Sequence, residues 1–172
     1  MASSSLSSSA ESYAVIGGEG FLGQAMVKGL CARYPSSSVL SLDIEQRHAS
    51  EKQSWSFQTC DLTSLESLTS AFRGRGVTTV IHTASPWTGS GKDVCEKVNV
   101  HGTSTVVQAC KETGVRKLVY TSSAGVVFDG TDLINIDERA GPPEVPMDAY
   151  NDTKVGCALL CHAGRSTAER PC

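Results

Sequence analysis

A doubly wound parallel α/β sheet is predicted by three observations. A glycine-rich turn joins a short apolar strand directly to a helix in residues 13–23, YAVIGGEGFLG. A second apolar run, VLSLD, closes on Asp43. From there to about residue 163, short β-branched runs alternate with helical patterns in the order βαβ(α)βαβαβα. That alternation argues for parallel strands with helices on both faces, because each crossover must return over the sheet.

The first strand covers Tyr13–Ile16. Gly17, Gly18, Gly20 and Gly23 fit both GxGxxG and GxxGxxG spacing. The first glycines permit a turn that a Cβ would block, the middle one lets amides approach a diphosphate, and the last allows close helix–strand packing. The phosphates are expected at the amides that open the first helix, around Gly17, Gly20, Phe21, Leu22 and Gly23. Unpaired N–H groups and the helix dipole favour negative charge there. Strand, turn, helix, second strand and terminal acid occur in the order that a dinucleotide-binding unit requires. Asp43 then meets the adenosine ribose hydroxyls. Its charge would repel a 2′-phosphate, which favours NAD over NADP, while Arg47, four residues on, could soften that preference.

The first helix is predicted from Gly20 to Tyr34, with Leu22, Met26 and Leu30 on its apolar face and Pro35 beyond its end. Residues 36–38 form a loop, Val39–Asp43 the second strand, and 44–54 a polar connection. Trp55–Thr59 reads as a third strand. Thr63-Ser64-Leu65-Glu66 reads as a capping box opening a helix whose buried face carries Leu65, Leu68 and Phe72, with Gly74 and Gly76 at its end. Val77–Thr83 is a fourth strand buried on both faces. After a loop at 86–91, a long helix runs to about Thr113, with Val94, Val98, Gly102, Val106 and Cys110 in register and Gly114 terminating it. Val115–Tyr120 is the fifth strand. The proline-bearing stretch 125–147 is a long excursion of the kind that usually serves function. A last helix starts near Asp148.

The totals bound the function classes. The 172 residues allow one domain with a sizeable core. A net charge of −3, with no basic run and few aromatics, argues against nucleic-acid binding. The seven cysteines form no CxxC pair and read as small buried hydrophobes in a reducing compartment. The four histidines have no metal-ligand spacing, so no metal site is expected; His82 stands apart because of its neighbours. Residues 1–12, MASSSLSSSAES, lack the basic start and apolar stretch of a secretory signal and read as a disordered tail. No stretch is long and apolar enough to span a bilayer.

Further candidate residues sit where the strands end. Asp61 and Leu62 follow the third strand at the edge where ligands bind in such sheets; adenine contact and a role in opening the next helix are both open there. Thr83 ends the fourth strand and Ala84 and Ser85 follow it, and their small side chains leave room for a cofactor. Asn99, on the long helix, could bond backbone near the nicotinamide. Thr121-Ser122-Ser123 ends the fifth strand, and Tyr150-Asn151-Asp152-Thr153-Lys154 is a YxxxK motif. Spacing of i and i+4 puts phenol and ammonium on one helical face. A nearby cation favours the phenolate, so Tyr150 could take a proton from a substrate oxygen held by Ser123 while hydride leaves to NAD.

The segments VIGGEGFLG, SLDI, TCDLTS, VIHTASPW, VNVHGT, KLVYTSSAGVVFDG, NIDERA and AYNDTK span residues 13–154. In content and order they resemble the extended short-chain dehydrogenase/reductases, and within them the 3β-hydroxysteroid dehydrogenase branch. The resemblance implies a Rossmann-type domain over residues 13–163. It implies NAD-dependent oxidation of a sterol 3β-hydroxyl in steroid biosynthesis, with loss of a neighbouring C-4 carboxyl. It makes Ser123 the hydroxyl ligand, Tyr150 the base, Lys154 its electrostatic partner and ribose contact, and Asn99 a structural and proton-relay residue. NAD and a sterol-like molecule are the implied ligands, with NADP as the alternative cofactor. The branch also implies a homodimer through the two long helices. It implies a cytoplasmic location, or one peripheral to the endoplasmic reticulum membrane. After Lys154 the chain departs from the pattern and reads VGCALLCHAGRSTAERPC. Residues 164–172 are therefore expected to be an atypical tail, the substrate lobe to be missing, the sheet to be incomplete on its C-terminal side, and activity to be impaired. A non-catalytic redox-sensing module, or a reductase or epimerase of another small substrate, is the alternative.

Overall fold

A computed structural model describes residues 11–35, 38–49, 54–87, 89–137 and 139–163. Residues 1–10 of the serine-rich start, 36–37, 50–53, 88, 138 and the tail from 164 lie outside the described residues. Strands β1 (Tyr13–Ile16), β2 (Val39–Asp43), β3 (Ser56–Thr59), β4 (Thr79–His82) and β5 (Lys117–Tyr120) form one sheet in the order β3-β2-β1-β4-β5. Every pairing is parallel. Ile16 stands level with Leu42 on one side and with His82 on the other, so three strands end at a common edge. The chain winds outward from β1 to β3, then crosses back to β4. This reversal leaves a crevice at the carboxyl ends of β1 and β4, the place where ligands bind in open α/β sheets.

Alternation along the strands builds a core on each face. Ala14, Ile16, Leu40, Leu42 and Val80 point to one side, where they meet Leu68 and Phe72 of α2 (Leu65–Arg75) and Val106 and Ala109 of α4 (Gly102–Thr113). Val15 and Val39 point to the other, against Val27 of α1 (Phe21–Arg33), with Met26, Leu30 and Ile81 beside them. The same face near β5 is open: Val119 is 51% exposed. Leu159, on α5 (Ala149–Ala163), is also exposed. No described helix is long and apolar enough to cross a membrane.

Several boundaries and phases differ from expectation, each for a physical reason. Gly20 caps α1 rather than opening it, and the buried residues of that helix are Gly23, Gln24 and Val27. Leu22 is exposed. The close approach of Gly23 to Gly17 sets the rotation of the helix, and the Leu22–Met26–Leu30 row is turned partly outward. Ser64, one residue later than the capping-box reading, is the N-cap of α2: its Oγ accepts the Ser67 N–H at 3.2 Å. Thr63 instead turns back to Asp61. The long helix is interrupted. After α3 (Lys92–Cys95), residues Glu96–His101 form a π-helical segment before α4 begins. The wider turn shifts the helix phase, so Val94 is exposed while Cys95 and Asn99 are buried. Strands β3, β4 and β5 are one to three residues shorter than the apolar runs that predicted them.

Candidate functional site

The glycine loop hangs on the end of β2. The Gly17 and Gly18 N–H groups both donate to the Leu42 carbonyl, at 2.8 and 3.1 Å. Gly17 adopts φ +80, a left-handed conformation, and a Cβ there would lie 2.6 Å from the Ala84 nitrogen. A Cβ on Gly23 would run into the Gly17 carbonyl. The loop then enters α1 with the Gly20 N–H on the Gly17 carbonyl, no side chain capping the helix and no acid in its first turn. Phe21 is 98% exposed, so the amide end of α1 opens outward. A helix start with no side-chain cap, no acid in its first turn and glycine backbone beside it fits a diphosphate. Phe21 and Leu22 would contribute main-chain N–H groups there, since their side chains turn to solvent.

Asp43 ends β2 as expected and is tied to the loop. Its Oδ2 accepts the Glu19 N–H at 3.0 Å and its Oδ1 accepts the Ile44 N–H at 2.8 Å. Two backbone donors leave further lone pairs for sugar hydroxyls. The Arg47 guanidinium pairs with Glu45 at 2.5 Å. Asp61 spends one oxygen on the N–H and hydroxyl of Thr63, both at 2.8 Å, which holds its carboxyl below the usual range. Leu62 is buried in the core, where a Cβ on Gly102 would overlap its side chain. Only its main chain is left for a ligand.

The end of β4 ties three elements together. The Thr83 Oγ donates to the Ile16 carbonyl at 2.9 Å, locking β4 to the glycine loop. Ala84 lies against Gly17. Ser85 Oγ donates to Asn99 Oδ1 at 3.1 Å, and Asn99 Nδ2 donates to Thr153 Oγ1 at 2.9 Å. Asn99, buried inside the π-helical segment, thus bonds side chains rather than backbone. It bridges the sheet edge to the helix that carries the YxxxK pair.

Lys154 is only 2% exposed. Its Nζ donates to the Thr121 carbonyl at 3.0 Å and lies 4.6 Å from the Tyr120 ring centroid and 6.0 Å from that of Tyr150. Burial pushes its ammonium below the usual lysine range. Ser123, two residues beyond Thr121, accepts the Gly125 N–H at 3.1 Å, and Gly125 abuts Asn151, the neighbour of Tyr150. The fold therefore draws Ser123, Tyr150 and Lys154 to one end of the sheet, beside the crevice.

Four contributors escaped the sequence reading. Glu19, one of the variable positions of the glycine motif, is buried and bonded. Thr103 holds His82 Nε2 at 3.1 Å. Thr153 receives Asn99, and Tyr120 shares the Lys154 cation. Thr103 and Thr153 fall on helical faces toward the sheet, which was the available clue; Glu19 offered none.

The model of the 3-beta hydroxysteroid dehydrogenase/isomerase family matches residues 14–162. The chain is 39% identical over 152 residues to the decarboxylating sterol-4-alpha-carboxylate 3-dehydrogenase of Saccharomyces cerevisiae, covering 84% of this chain and 44% of that protein. It is 43% identical over 142 residues to the human protein of the same name, covering 82% and 36%. It thus spans less than half the length of these curated relatives. Among solved structures, UDP-glucose 4-epimerase from Thermus thermophilus, in complex with NAD, superposes with a TM-score of 0.77 at 26% identity, covering 88% of this chain and 50% of that one. The parallel sheet with helices on both faces is accordingly a Rossmann fold. With most of its residues matched and its motifs in place, the chain belongs to the 3-beta hydroxysteroid dehydrogenase/isomerase family.

Proposed function

We propose that this chain forms the NAD-binding and proton-transferring part of a dehydrogenase that oxidises the 3β-hydroxyl of a sterol, of the 4-carboxy kind named for its relatives. The observation that carries the reading is the joint placement of an uncapped glycine-loop helix start, an acid at the end of β2, and the Ser123–Tyr150–Lys154 group around one sheet edge.

A bound nicotinamide dinucleotide would supply the hydride acceptor. The amides that open α1 hold its diphosphate, and Asp43 takes the ribose hydroxyls of its adenosine end, which supports NAD over NADP. Ser123 offers a hydroxyl to the substrate oxygen. Tyr150 receives the substrate's proton at its phenol oxygen, in the positive field of Lys154. Lys154 is kept in place by the Thr121 carbonyl and by the faces of two tyrosine rings. The Ser85–Asn99–Thr153 bridge fixes α5 against the sheet and with it the distance from Tyr150 to the crevice. Oxidation at C-3 beside a C-4 carboxylate gives a β-keto acid, and its loss of carbon dioxide is favoured because the resulting carbanion is an enolate.

Calorimetric titration of the folded chain with NAD should give a saturable heat, and a folded sample with none refutes the reading. Tyr150→Phe should bind NAD within about threefold of the parent and lose at least about a hundredfold in NADH formation wherever turnover is measurable.

A further inference from the structure

Glu19 is a variable position of the glycine motif, yet it is 3% exposed and makes more hydrogen bonds than any acid around the site. Its Oε1 accepts from Ser41 Oγ at 3.1 Å and from Gln24 Nε2 at 3.3 Å. Its Oε2 accepts the backbone N–H groups of Arg47 at 3.0 Å and His48 at 2.9 Å. All four partners present donors, the arrangement that an acceptor-only carboxylate satisfies. Its own N–H meets the Asp43 carboxylate at 3.0 Å. One side chain therefore fastens the glycine loop, the start of α1, the end of β2 and the loop after it into a single corner.

That corner is where the adenosine ribose would lie, between the glycine loop and Asp43. Its fixed charges are the carboxylates of Glu19, Asp43 and Glu45 and the guanidinium of Arg47. The guanidinium is already engaged by Glu45, and the Arg47 amide is held by Glu19. A 2′-phosphate would have to enter beside the carboxylates of Glu19 and Asp43. Hydroxyls of an unphosphorylated ribose meet no such penalty.

We infer that Glu19 is a specificity-determining residue for the dinucleotide: its buried carboxylate latches the loop after β2 onto the glycine loop and, together with Asp43, excludes a 2′-phosphate. The inference rests on the dinucleotide reading above. It assigns a role to a residue that contacts the site from beneath, through the position of the 47–48 backbone and through its charge.

The test measures Kd for NAD and for NADP on the parent chain and on Glu19→Gln, which keeps the size, removes the charge and turns an amide NH2 toward two of the four donors. The ratio of the two constants should move toward NADP by about tenfold, as expected for removing one of two nearby like charges. Glu19→Ser, smaller and neutral, repeats the measurement should the amide fold poorly. Amide hydrogen exchange gives an independent readout without cofactor: in Glu19→Ser the Arg47 and His48 amides should exchange at least about tenfold faster, while those of β1 do not change. A parent chain that binds NAD, with a ratio unaltered in both variants, overturns the inference and leaves the dinucleotide reading standing. A folded parent that binds neither dinucleotide overturns both.

Discussion

Acidification should weaken this fold through one buried imidazole. His82 ends β4 with no exposed surface. Its Nε2 is engaged with Thr103, its ring lies 5.4 Å from that of Tyr120, and its Nδ1 has no partner among the described residues. Burial, and then the Lys154 cation, push its pKa from 6.5 down to about 3. The folded protein thus refuses a proton that the unfolded chain accepts below pH 6.5. Stability is complete above that pH and is lost as pH falls toward the folded-state value. At about 1.36 kcal/mol per pH unit, lowering the pH from 6.5 to about 5 removes roughly 2 kcal/mol, a sizeable share of the ~5–15 kcal/mol of an ordinary domain. Paired carboxylates contribute little in this window, because those of Glu11 and Asp61 titrate below their ordinary values of 4.5 and 3.8. Urea unfolding at pH 7 and pH 5 reads the loss directly. His82→Gln, which can still bond Thr103 but does not ionise, should flatten the slope. An equal slope in the variant, or a His82 ring resonance that titrates near pH 6.5, would refute the reasoning. The consequence for the site is that a neutral His82 adds no second cation beside Lys154.

Other outcomes follow from the packing. Gly23→Ala places a methyl group on the Gly17 carbonyl, where only backbone can yield; thermal melting should show a loss of about 1–3 kcal/mol or more, and NAD titration a loss of binding. Gly102→Ala meets the end of the Leu62 side chain instead, which can rotate away, so its melting point should fall by less than that of Gly23→Ala. At alkaline pH the buried thiols act in the opposite sense to His82. Burial pushes Cys110 from 9.0 up to about 12. The folded state keeps a proton that the unfolded chain loses, so stability falls as pH rises above 9, by roughly 1 kcal/mol at about pH 10. Cys110→Ala should reduce that slope, as measured by urea unfolding at pH 8 and pH 10.

What the sequence made legible, and what it hid, divides along the range of the interactions involved. The glycine fingerprint could be read because part of what it answers to is local. A left-handed φ at Gly17 and the contact between Gly23 and Gly17 lie within seven positions of chain. The acid at Asp43 and the apolar strands were legible for the same reason, since a strand buried on both faces writes its burial into consecutive residues. The rotation of α1 does not follow apolar periodicity, because at a glycine turn backbone contact outranks it. The π-helical segment was invisible because a longer hydrogen-bonded ring has no side-chain pattern of its own; the only trace was a valine row whose first member, Val94, faces solvent. The sequence around Asn99 points to a backbone partner near the nicotinamide. Its real partners, Ser85 and Thr153, come together only when α5 docks. Glu19 is the sharpest case. Its donors lie as far away as His48, and a motif that treats the position as free carries no information about them. The residues hardest to read are therefore those that join separate βα units.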